Sequence, residues 1–441
     1  MYNKIKYLLI CSVLLPFMAG AQQVDNSPFS SFGIGNLHSD DLAFYQGFGG
    51  LGASYIDPFH INIKNPASYA FLNSAAYEMG VSARYQQTSD GENKNLGWHG
   101  NLDYLVLGFP LRNPINASLD PIKRDWKFGM SLFLKPHSTV GYNISTIQND
   151  SNLGSYQNNF EGYGGTYKMM WGNAAKYKSF SFGANVGYLF GNINFNENIY
   201  FEDDIYTFEN RYAIDYNVNG FIWDAGMIYS WFINKDAYEK DKSVKTKVLN
   251  IGVYGNSAQK FYSINDVTKE SLYTSLTLTD TLVSDLGVKG EGTLPAELGF
   301  GATYYGDNKY VIGFNYEYGA WSQYRNSVRN ETLMDSWKLT LGGSYRPDVK
   351  SFNNYFKRIA YKFGVFYQKD PQVIDNIQIT DTGINLGASF PFYYQRKISH
   401  INAAFRFGVK GTGTPIQERY GKVTLGFTFN DDQWFIKRKY N

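Results

Sequence analysis

The fold is decided by the stretch Phe180-Ser181-Phe182-Gly183-Ala184-Asn185-Val186-Gly187-Tyr188-Leu189-Phe190. Its even positions are apolar or aromatic, and its odd positions up to Gly187 are Ser, Gly, Asn and Gly. A period of two over about ten residues indicates a β-strand with one apolar face and one small, polar face. The length and alternation are typical of a strand that crosses a bilayer at a tilt, between lipid and a polar lumen. A half-buried strand of a soluble sheet alternates too, so the prediction depends on repetition of the pattern.

The same period of two recurs from Ala75 to Phe429. The apolar faces of the predicted strands run from Tyr77 to Tyr85, Leu105 to Phe109, Trp126 to Leu134, Tyr163 to Trp171, Phe180 to Phe190, Tyr212 to Trp231, Leu249 to Val253, Leu298 to Tyr304, Tyr310 to Tyr318, Trp337 to Tyr345, Ile359 to Tyr367, Ile384 to Phe392, Ile401 to Val409 and Val423 to Phe429. These are fourteen strands, and bacterial single-chain barrels have an even number. We therefore expect an all-β fold, a transmembrane antiparallel β-barrel of about fourteen strands.

Two irregularities refine this prediction. The sixth strand changes phase near Asn219-Gly220, which predicts a bulge. Connections after the odd-numbered strands are mostly longer than a dozen residues, and the longest runs from Ser257 to Leu294. Since long loops of such barrels face outward and short turns face the periplasm, both termini are expected in the periplasm.

The composition fits a barrel better than a soluble domain. The chain has 441 residues, of which 18% are aromatic and 44 are Gly, as expected where aromatic girdles mark both membrane interfaces. The formal charge of +2 falls to 0 once two N-terminal lysines are removed, so no nucleic-acid partner is expected. The only cysteine, Cys11, lies in the N-terminal apolar run, which leaves no disulfide framework.

The N-terminus has the pattern of a secretory signal peptide. Lys4 and Lys6 form a basic region, Tyr7 to Met18 an apolar region, and Ala19-Gly20-Ala21 a small-residue cleavage site. We expect residues 1–21 to be removed before Gln22, which implies export from the cytoplasm of a Gram-negative cell.

Residues 22–74 do not alternate and are rich in Gly, as in Phe32-Gly33-Ile34-Gly35, and they end near Asn65-Pro66-Ala67. Such a backbone suits close packing against walls, which predicts a lumen plug, or hatch; an ordered periplasmic tail is the alternative. The expected organisation is therefore a signal peptide (1–21), a hatch (22–74), a barrel (75–429) and a periplasmic tail (430–441). The tail is either a docking peptide or an interfacial anchor of the last strand.

The Gly-rich segment, the Asn65-Pro66-Ala67 element and the fourteen strands together resemble the FadL/TodX outer-membrane transport family. Ser27 to Gly35 and Trp434 to Tyr440 are similar to divergent Bacteroidota members. The resemblance implies a barrel with a hatch in its lumen, and contact of the Asn65 element with hatch or ligand. The chain departs from better-known members at Ser68, where Gly is usual.

The resemblance implies passive uptake of hydrophobic or amphipathic small molecules, of the long-chain fatty acid or aromatic hydrocarbon type, across the outer membrane. The partners would be outer-membrane lipid and the hydrophobic ligand. The alternative is a non-transporting accessory subunit of a Bacteroidota outer-membrane protein secretion or assembly complex, with other outer-membrane or periplasmic proteins as partners. A transporter predicts a continuous apolar pocket, and an accessory barrel predicts a blocked lumen.

Several residues are candidates for these roles. Proline cannot donate to a strand ladder, so Pro136 marks either a lateral opening, which the resemblance places at the third strand, or simply the end of that strand. The inferred lumen face carries a mild basic excess that could hold an anionic head group. Its leading basic candidates are Arg84, Lys127, Lys135 and Arg406. The alternative is that these cations pair with other lumen charges and with the hatch acids Asp40 and Asp41.

No catalytic pattern is present. The histidines His38, His60, His99, His137 and His400 fall in separate predicted elements without metal-ligand spacing. We therefore expect no enzyme, no metal and no cofactor.

Overall fold

A computed structural model describes residues 26–431, apart from 113–124, 152–153, 202–207, 242, 274–277, 308, 330 and 395–396. The expected signal peptide and the tail from residue 432 onward lie outside the described residues. None of the described helices is long and apolar enough to cross a membrane.

The described chain forms one antiparallel sheet that closes on itself. The hatch contributes β1 (Asn36–Leu37), and the wall consists of β2 (Ala75–Ser89), β3 (Lys94–Pro110), β4 (Trp126–Asp150), β5 (Gly154–Tyr177), β6 (Phe180–Phe201), β7 (Phe208–Phe232), β8 (Lys247–Asn256), β9 (Gln259–Tyr273), β10 (Leu278–Leu294), β11 (Glu297–Gly306), β12 (Tyr310–Gly319), β13 (Arg325–Asn326), β14 (Ser336–Tyr345), β15 (Ala360–Ile374), β16 (Ile377–Tyr394), β17 (Lys397–Lys410) and β18 (Gln417–Asp431). Three strands of the barrel are each formed by two successive segments, namely β8 with β9, β10 with β11, and β12 with β13. Each of these pairs counts as one strand of the barrel. The expected fourteen-stranded barrel with its lumen plug is therefore confirmed.

The stretch from Phe180 to Phe190 lies in β6 and shows how the wall is oriented. Phe182 and Tyr188 are half exposed on the outer surface, whereas Ser181 and Asn185 are fully buried inside. Similar outward-facing apolar side chains on the other strands form a belt around the barrel. A belt of this kind is stable where it meets hydrocarbon rather than water.

We call the half of the barrel that lies away from the start of β2 and the end of β18 the far half. In this far half the apolar side chains of the strands point to the inside of the barrel. On β6 Ile193 is fully buried, and on β7 Tyr216 and Val218 are buried too. The irregularity predicted near Asn219 is absent from the β6–β7 ladder, which has no register shift, but on its other side β7 loses its ladder partner between Asn219 and Ala225. The change of phase in the sequence instead marks the level at which the strands leave the apolar belt and enclose a core.

Most of the predicted long loops are continuations of strands. Residues 90–93 alone join β2 to β3. The segment from Ser257 to Leu294, predicted as the longest loop, contains the paired strands β9 and β10. These extensions raise the wall beyond the apolar belt and give the far half of the barrel its own packed interior.

The hatch, described from residue 26 to 74, lies inside the barrel. It contains the 3₁₀ helices Pro28–Ser31 and Pro66–Phe71, strand β1 and the short helix α1 (Ala43–Gln46). Strand β1 pairs with β4 of the wall, and every residue of α1 is buried. The remaining helical turns, α2 (Lys235–Lys240), Trp321–Gln323 and Tyr355–Arg358, belong to connections between wall strands.

Candidate functional site

Two adjacent hatch acids hold the hatch to opposite sides of the wall. The Asp40 carboxylate lies 2.8 Å from the Nζ atoms of both Lys135 on β4 and Lys168 on β5. The Asp41 carboxylate lies 2.7 Å from Lys64 Nζ of the hatch and 3.6 Å from Lys338 Nζ on β14. We call these residues the Asp40–Asp41 clamp.

The clamp extends to a fourth strand through the hatch lysine. Lys64 Nζ also donates to Glu317 Oε1 on β12, at 2.7 Å. The side chains of Lys64 and Asp41 are almost completely buried. Breaking a buried pair leaves an uncompensated charge, which is strongly destabilising, so the hatch cannot leave without exposing or neutralising these groups.

The clamp is ionised at neutral pH. Burial raises the pKa of Asp41, but Lys64 and Lys338 together outweigh it and lower the pKa to about 2. Burial likewise raises the pKa of Asp40, and Lys135 and Lys168 hold it well below its usual range. Burial alone would lower the pKa of Lys64, but its two carboxylate partners raise it above its ordinary value.

The Asn65-Pro66-Ala67 element binds the hatch to β6, β7 and β8. The Asn65 side chain accepts from Ala67 N at 3.1 Å, which caps the 3₁₀ helix, and its Nδ2 donates to Ala53 O at 2.6 Å. Ser181 Oγ on β6 donates to Ala67 O at 2.6 Å. The three residues contact protein atoms and do not line the central cavity described below.

Glycines in the wall allow the hatch backbone to come this close. A Cβ added at Gly226 on β7 would lie 2.1 Å from Asn65 Oδ1, and one at Gly183 on β6 would lie 2.4 Å from the carbonyl carbon of Pro66. At Gly129 on β4 the added atom would lie 2.0 Å from Tyr69 O. Larger residues at these positions would push the hatch from the wall.

An aromatic cluster anchors the other side of the hatch. Lys362 Nζ on β15 lies 3.2 Å from the ring centroid of Phe44 and donates to Phe44 O at 2.8 Å. The opposite contact of Phe44 is His60, whose ring stacks on it at 3.8 Å. Burial lowers the pKa of His60 despite the nearby Asp57 carboxylate, so the stacked ring is neutral at neutral pH.

A polar cavity of about 290 Å³ lies inside the barrel beside the hatch. Its lining combines charged residues of hatch and wall, among them Asp40, Lys64, Lys338, Arg406 and Lys422. Such a lining favours water and ions over a hydrocarbon chain. The continuous apolar pocket expected of a transporter is not found among the described residues.

The four basic candidates do not form one site. Lys135 belongs to the clamp, Arg84 pairs with Glu418 at 3.2 Å, and Arg406 donates to Asn385 Oδ1 at 2.9 Å. Lys127 is exposed at the start of β4 and does not line the cavity. Two of the four candidates, Arg84 and Lys135, thus have carboxylate partners.

Pro136 lies within β4, which continues to Asp150, so the alternative that the strand ends there is wrong. The β4–β5 ladder shifts register between Pro136 and Ser138. The β3–β4 ladder stops just before it, at Leu105 and Leu134. Beyond that point β4 pairs with the hatch strand β1 instead, so hatch residues lie where the two wall strands part.

Sequence reasoning missed Lys64. The only signal was its isolation, since it is the one Lys or Arg between residues 26 and 74. Partners on β12 and in the hatch could not be assigned without the fold. In the described part of the chain, no three His, Cys, Asp or Glu side chains are arranged to hold a metal ion.

Comparison with known proteins finds one family model and several solved structures of this fold. A sequence model of the family BamG matches residues 1–441. No curated protein matches the chain. The likeness to the FadL/TodX family expected from the sequence therefore holds for the fold, whereas the matching family is BamG.

Three solved structures illustrate the fold. The toluene transporter TbuX of Ralstonia pickettii has a TM-score of 0.54 at 12% identity, covering 89% of this chain and 99% of that chain. A FadL homologue of Pseudomonas aeruginosa has 0.52 at 12%, covering 90% and 99%. The toluene transporter TodX of Pseudomonas putida has 0.50 at 13%, covering 91% and 100%. At these identities the likeness is one of fold.

Replacing Asp41→Asn should loosen the hatch without unfolding the barrel. The variant leaves Lys338 without its carboxylate and Lys64 with Glu317 alone, at a cost of about 3 kcal/mol. Hydrogen exchange at pH 7 should become faster in peptides covering residues 42–71 and unchanged in β16–β18. The control Asp280→Asn, an exposed acid on β10, should exchange like the wild type. Wild-type exchange in Asp41→Asn would show that the clamp does not hold the hatch.

The clamp also predicts how hatch stability depends on pH. Because the pKa of Asp41 is lowered from 3.8 to about 2 on folding, its contribution is complete above about pH 5 and is lost as the pH falls from about 4 to about 2. The unfolding midpoint measured by calorimetry should drop as the pH falls from about 4 to about 2. The Asp41→Asn variant should show a smaller drop, and an equal drop in both proteins would contradict the assignment.

Proposed function

The chain belongs to the BamG family, and we propose that it is a plugged outer-membrane barrel, an accessory subunit of an outer-membrane protein secretion or assembly complex that does not itself transport. The observation that carries this proposal is the Asp40–Asp41 clamp, which ties the hatch to β4, β5, β12 and β14 through buried ion pairs. Because the hatch is bonded to opposite sides of the wall, it has no unbonded side about which it could rotate out of the lumen.

The interior supports the same proposal. The cavity beside the hatch is small and lined by charges, and the far half of the barrel is filled by a hydrophobic core that includes Tyr142, Phe195, Tyr216 and Phe261. A hydrocarbon moving inward would have to cross both regions. Such a barrel interacts with its surroundings through its outer surface, as a structural subunit does.

The outer membrane is the location that the apolar belt supports, because a closed barrel with lipid-facing aromatics is stable there. The end that carries the start of β2 and the end of β18 would then face the periplasm. Two solved structures of this fold are described as a toluene transporter and a monoaromatic hydrocarbon channel, which is consistent with an absence of catalysis.

Native mass spectrometry of the protein, extracted from its own outer membrane in mild detergent, tests the proposal. We expect stoichiometric protein partners and an empty lumen. A matched sample of the Asp41→Asn variant should keep the partners, since these contact the outer surface. A lone chain carrying a fatty acid or hydrocarbon, together with loss of its uptake in a deletion strain, would overturn the proposal.

The second candidate is passive uptake of hydrophobic or amphipathic small molecules, the function implied by the FadL/TodX resemblance. The observation that favours it is the parting of β3 from β4 beside Pro136, where β1 and its hatch neighbours Ser27 and His38 bond to the edge of β4 that β3 leaves. A ligand could leave sideways there if β1 moved. Basic residues such as Arg84 and Lys135 would then meet an anionic head group only after their present partners had been displaced.

A reversible lock on β1 separates the two candidates. Leu37 and Ser138 are register partners, so Leu37→Cys with Ser138→Cys should form a disulfide when oxidised. Uptake of a labelled fatty acid into proteoliposomes should be equally absent in the locked and reduced forms of an accessory barrel. Uptake that appears on reduction would instead establish transport past β1. The single variant Leu37→Cys controls for the substitution.

A further inference from the structure

Besides the interruption of strand pairing near Pro136, the wall has a second one, on the side formed by β7 to β12. Strand β7 pairs with β9 as far as Asn219 and with β8 from Ala225 onward. In the described chain, residues 220–224 therefore have no ladder partner on that side, although their pairing with β6 is continuous. The break lies at the edge of the apolar belt, where Phe221 faces outward and is largely exposed.

The neighbouring ladder breaks at the same level. Pairing of β9 with β10 ends at Gln259 and Leu294, and pairing of β8 with β11 resumes at Asn256 and Glu297. Residues 257–258 and 295–296 lie unpaired between these points, and Pro295 has no N–H to donate. We call the combined break, residues 220–224, 257–258 and 295–296, the side window.

Specific hydrogen bonds satisfy the backbone at the edges of the side window. Gln259 Nε2 donates to Trp223 O at 2.5 Å, and Glu297 N donates to Asn256 Oδ1 at 2.7 Å. Ala320 N donates to Ala296 O at 3.0 Å. Backbone groups at membrane depth must be bonded within the protein, so these contacts make the side window a formed feature of the wall.

The outer face of the side window is an apolar groove of about 640 Å³. Its lining includes Trp223, Ala225, Met227, Val253, Leu298 and Tyr318. The exposed residues Trp223 and Leu298 belong to the lipid-facing surface. A hydrocarbon chain is the ligand that such a groove fits.

The inner face is polar and acidic. A small pocket behind the groove shares Trp223 and Glu297 with it and adds Asp40, Lys168 and Asp224. Asp40 is neutralised by the clamp lysines, and Asp224 accepts only from the amide of Asn185, at 2.8 Å. Neither Asp224 nor Glu297 has an ion-pair partner within 4 Å among the described residues. The inner mouth therefore presents two carboxyl groups without a direct ion pair, in a pocket that also contains Lys168.

We propose that the side window binds a membrane amphiphile with an ammonium head group. Its hydrocarbon chain lies in the groove, and its ammonium reaches Glu297 and Asp224. A primary ammonium supplies three donors and a positive charge, which complements two carboxylates that lack ion-pair partners. The site lies away from Pro136 and is independent of the proposed function, since a bound lipid serves a static subunit as well as a channel.

Competition between two lipids in native mass spectrometry tests the proposal. The full-length folded protein, delipidated in detergent, is titrated with phosphatidylethanolamine or phosphatidylglycerol of identical acyl chains. We expect one phosphatidylethanolamine to bind at least about tenfold more tightly than phosphatidylglycerol. Equal binding of the two lipids would overturn the head-group assignment.

Substitutions locate the site. The double variant Glu297→Gln, Asp224→Asn should lose the preference for phosphatidylethanolamine, whereas Glu291→Gln, on β10 beyond the window, should keep it. Ala225→Phe fills the groove and should abolish the tight site for both lipids, whereas Ala213→Phe, also outward on β7 but beyond the groove, should not. Heat-modifiable migration confirms that each variant is folded. Retained tight binding in folded Ala225→Phe would place the lipid elsewhere.

Discussion

The pairing of buried charges between hatch and wall is the constraint on which the rest of this structure depends. A barrel lumen is a poor solvent for an isolated ion, yet the wall directs Lys135, Lys168 and Lys338 into it. Asp40 and Asp41, adjacent in sequence, neutralise lysines on opposite sides of the barrel. The acids of the hatch thus neutralise lysines of the wall, so that the hatch and the wall stabilise each other.

The close fit of the hatch depends on this pairing and on the small residues around it. Glycines such as Gly129 and Gly183 bring the hatch backbone against the strands, and Asn65 bonds at once to its own helix and to Ala53. Beyond the hatch the strands continue past the apolar belt and turn their apolar faces inward. A core then fills what would otherwise be an entrance. Together the hatch and this core occupy much of the barrel interior.

The outer surface is where the remaining irregularity lies. In a closed barrel, the backbone hydrogen bonds between neighbouring strands are interrupted mainly where other hydrogen bonds replace them. At the side window side chains such as Gln259 make that replacement, and an acidic mouth meets an apolar groove. A wall that is rigid inside and specialised outside suits a protein whose contacts are with lipid and with neighbouring proteins.

The sequence by itself determined the barrel, because the period of two seen in Phe180 to Phe190 is repeated from Ala75 to Phe429 and gives each crossing one face for lipid and one for a polar lumen. It also predicted the plug and named Asp40 and Asp41 as partners for the lumen lysines. It could not show that β7 keeps its register through Asn219, because the same alternation reverses when an apolar face turns from lipid to a core. Only the tertiary structure decided that Lys64 meets Glu317, which lies 253 positions away, and where the wall pairing breaks, because both depend on which strands become neighbours.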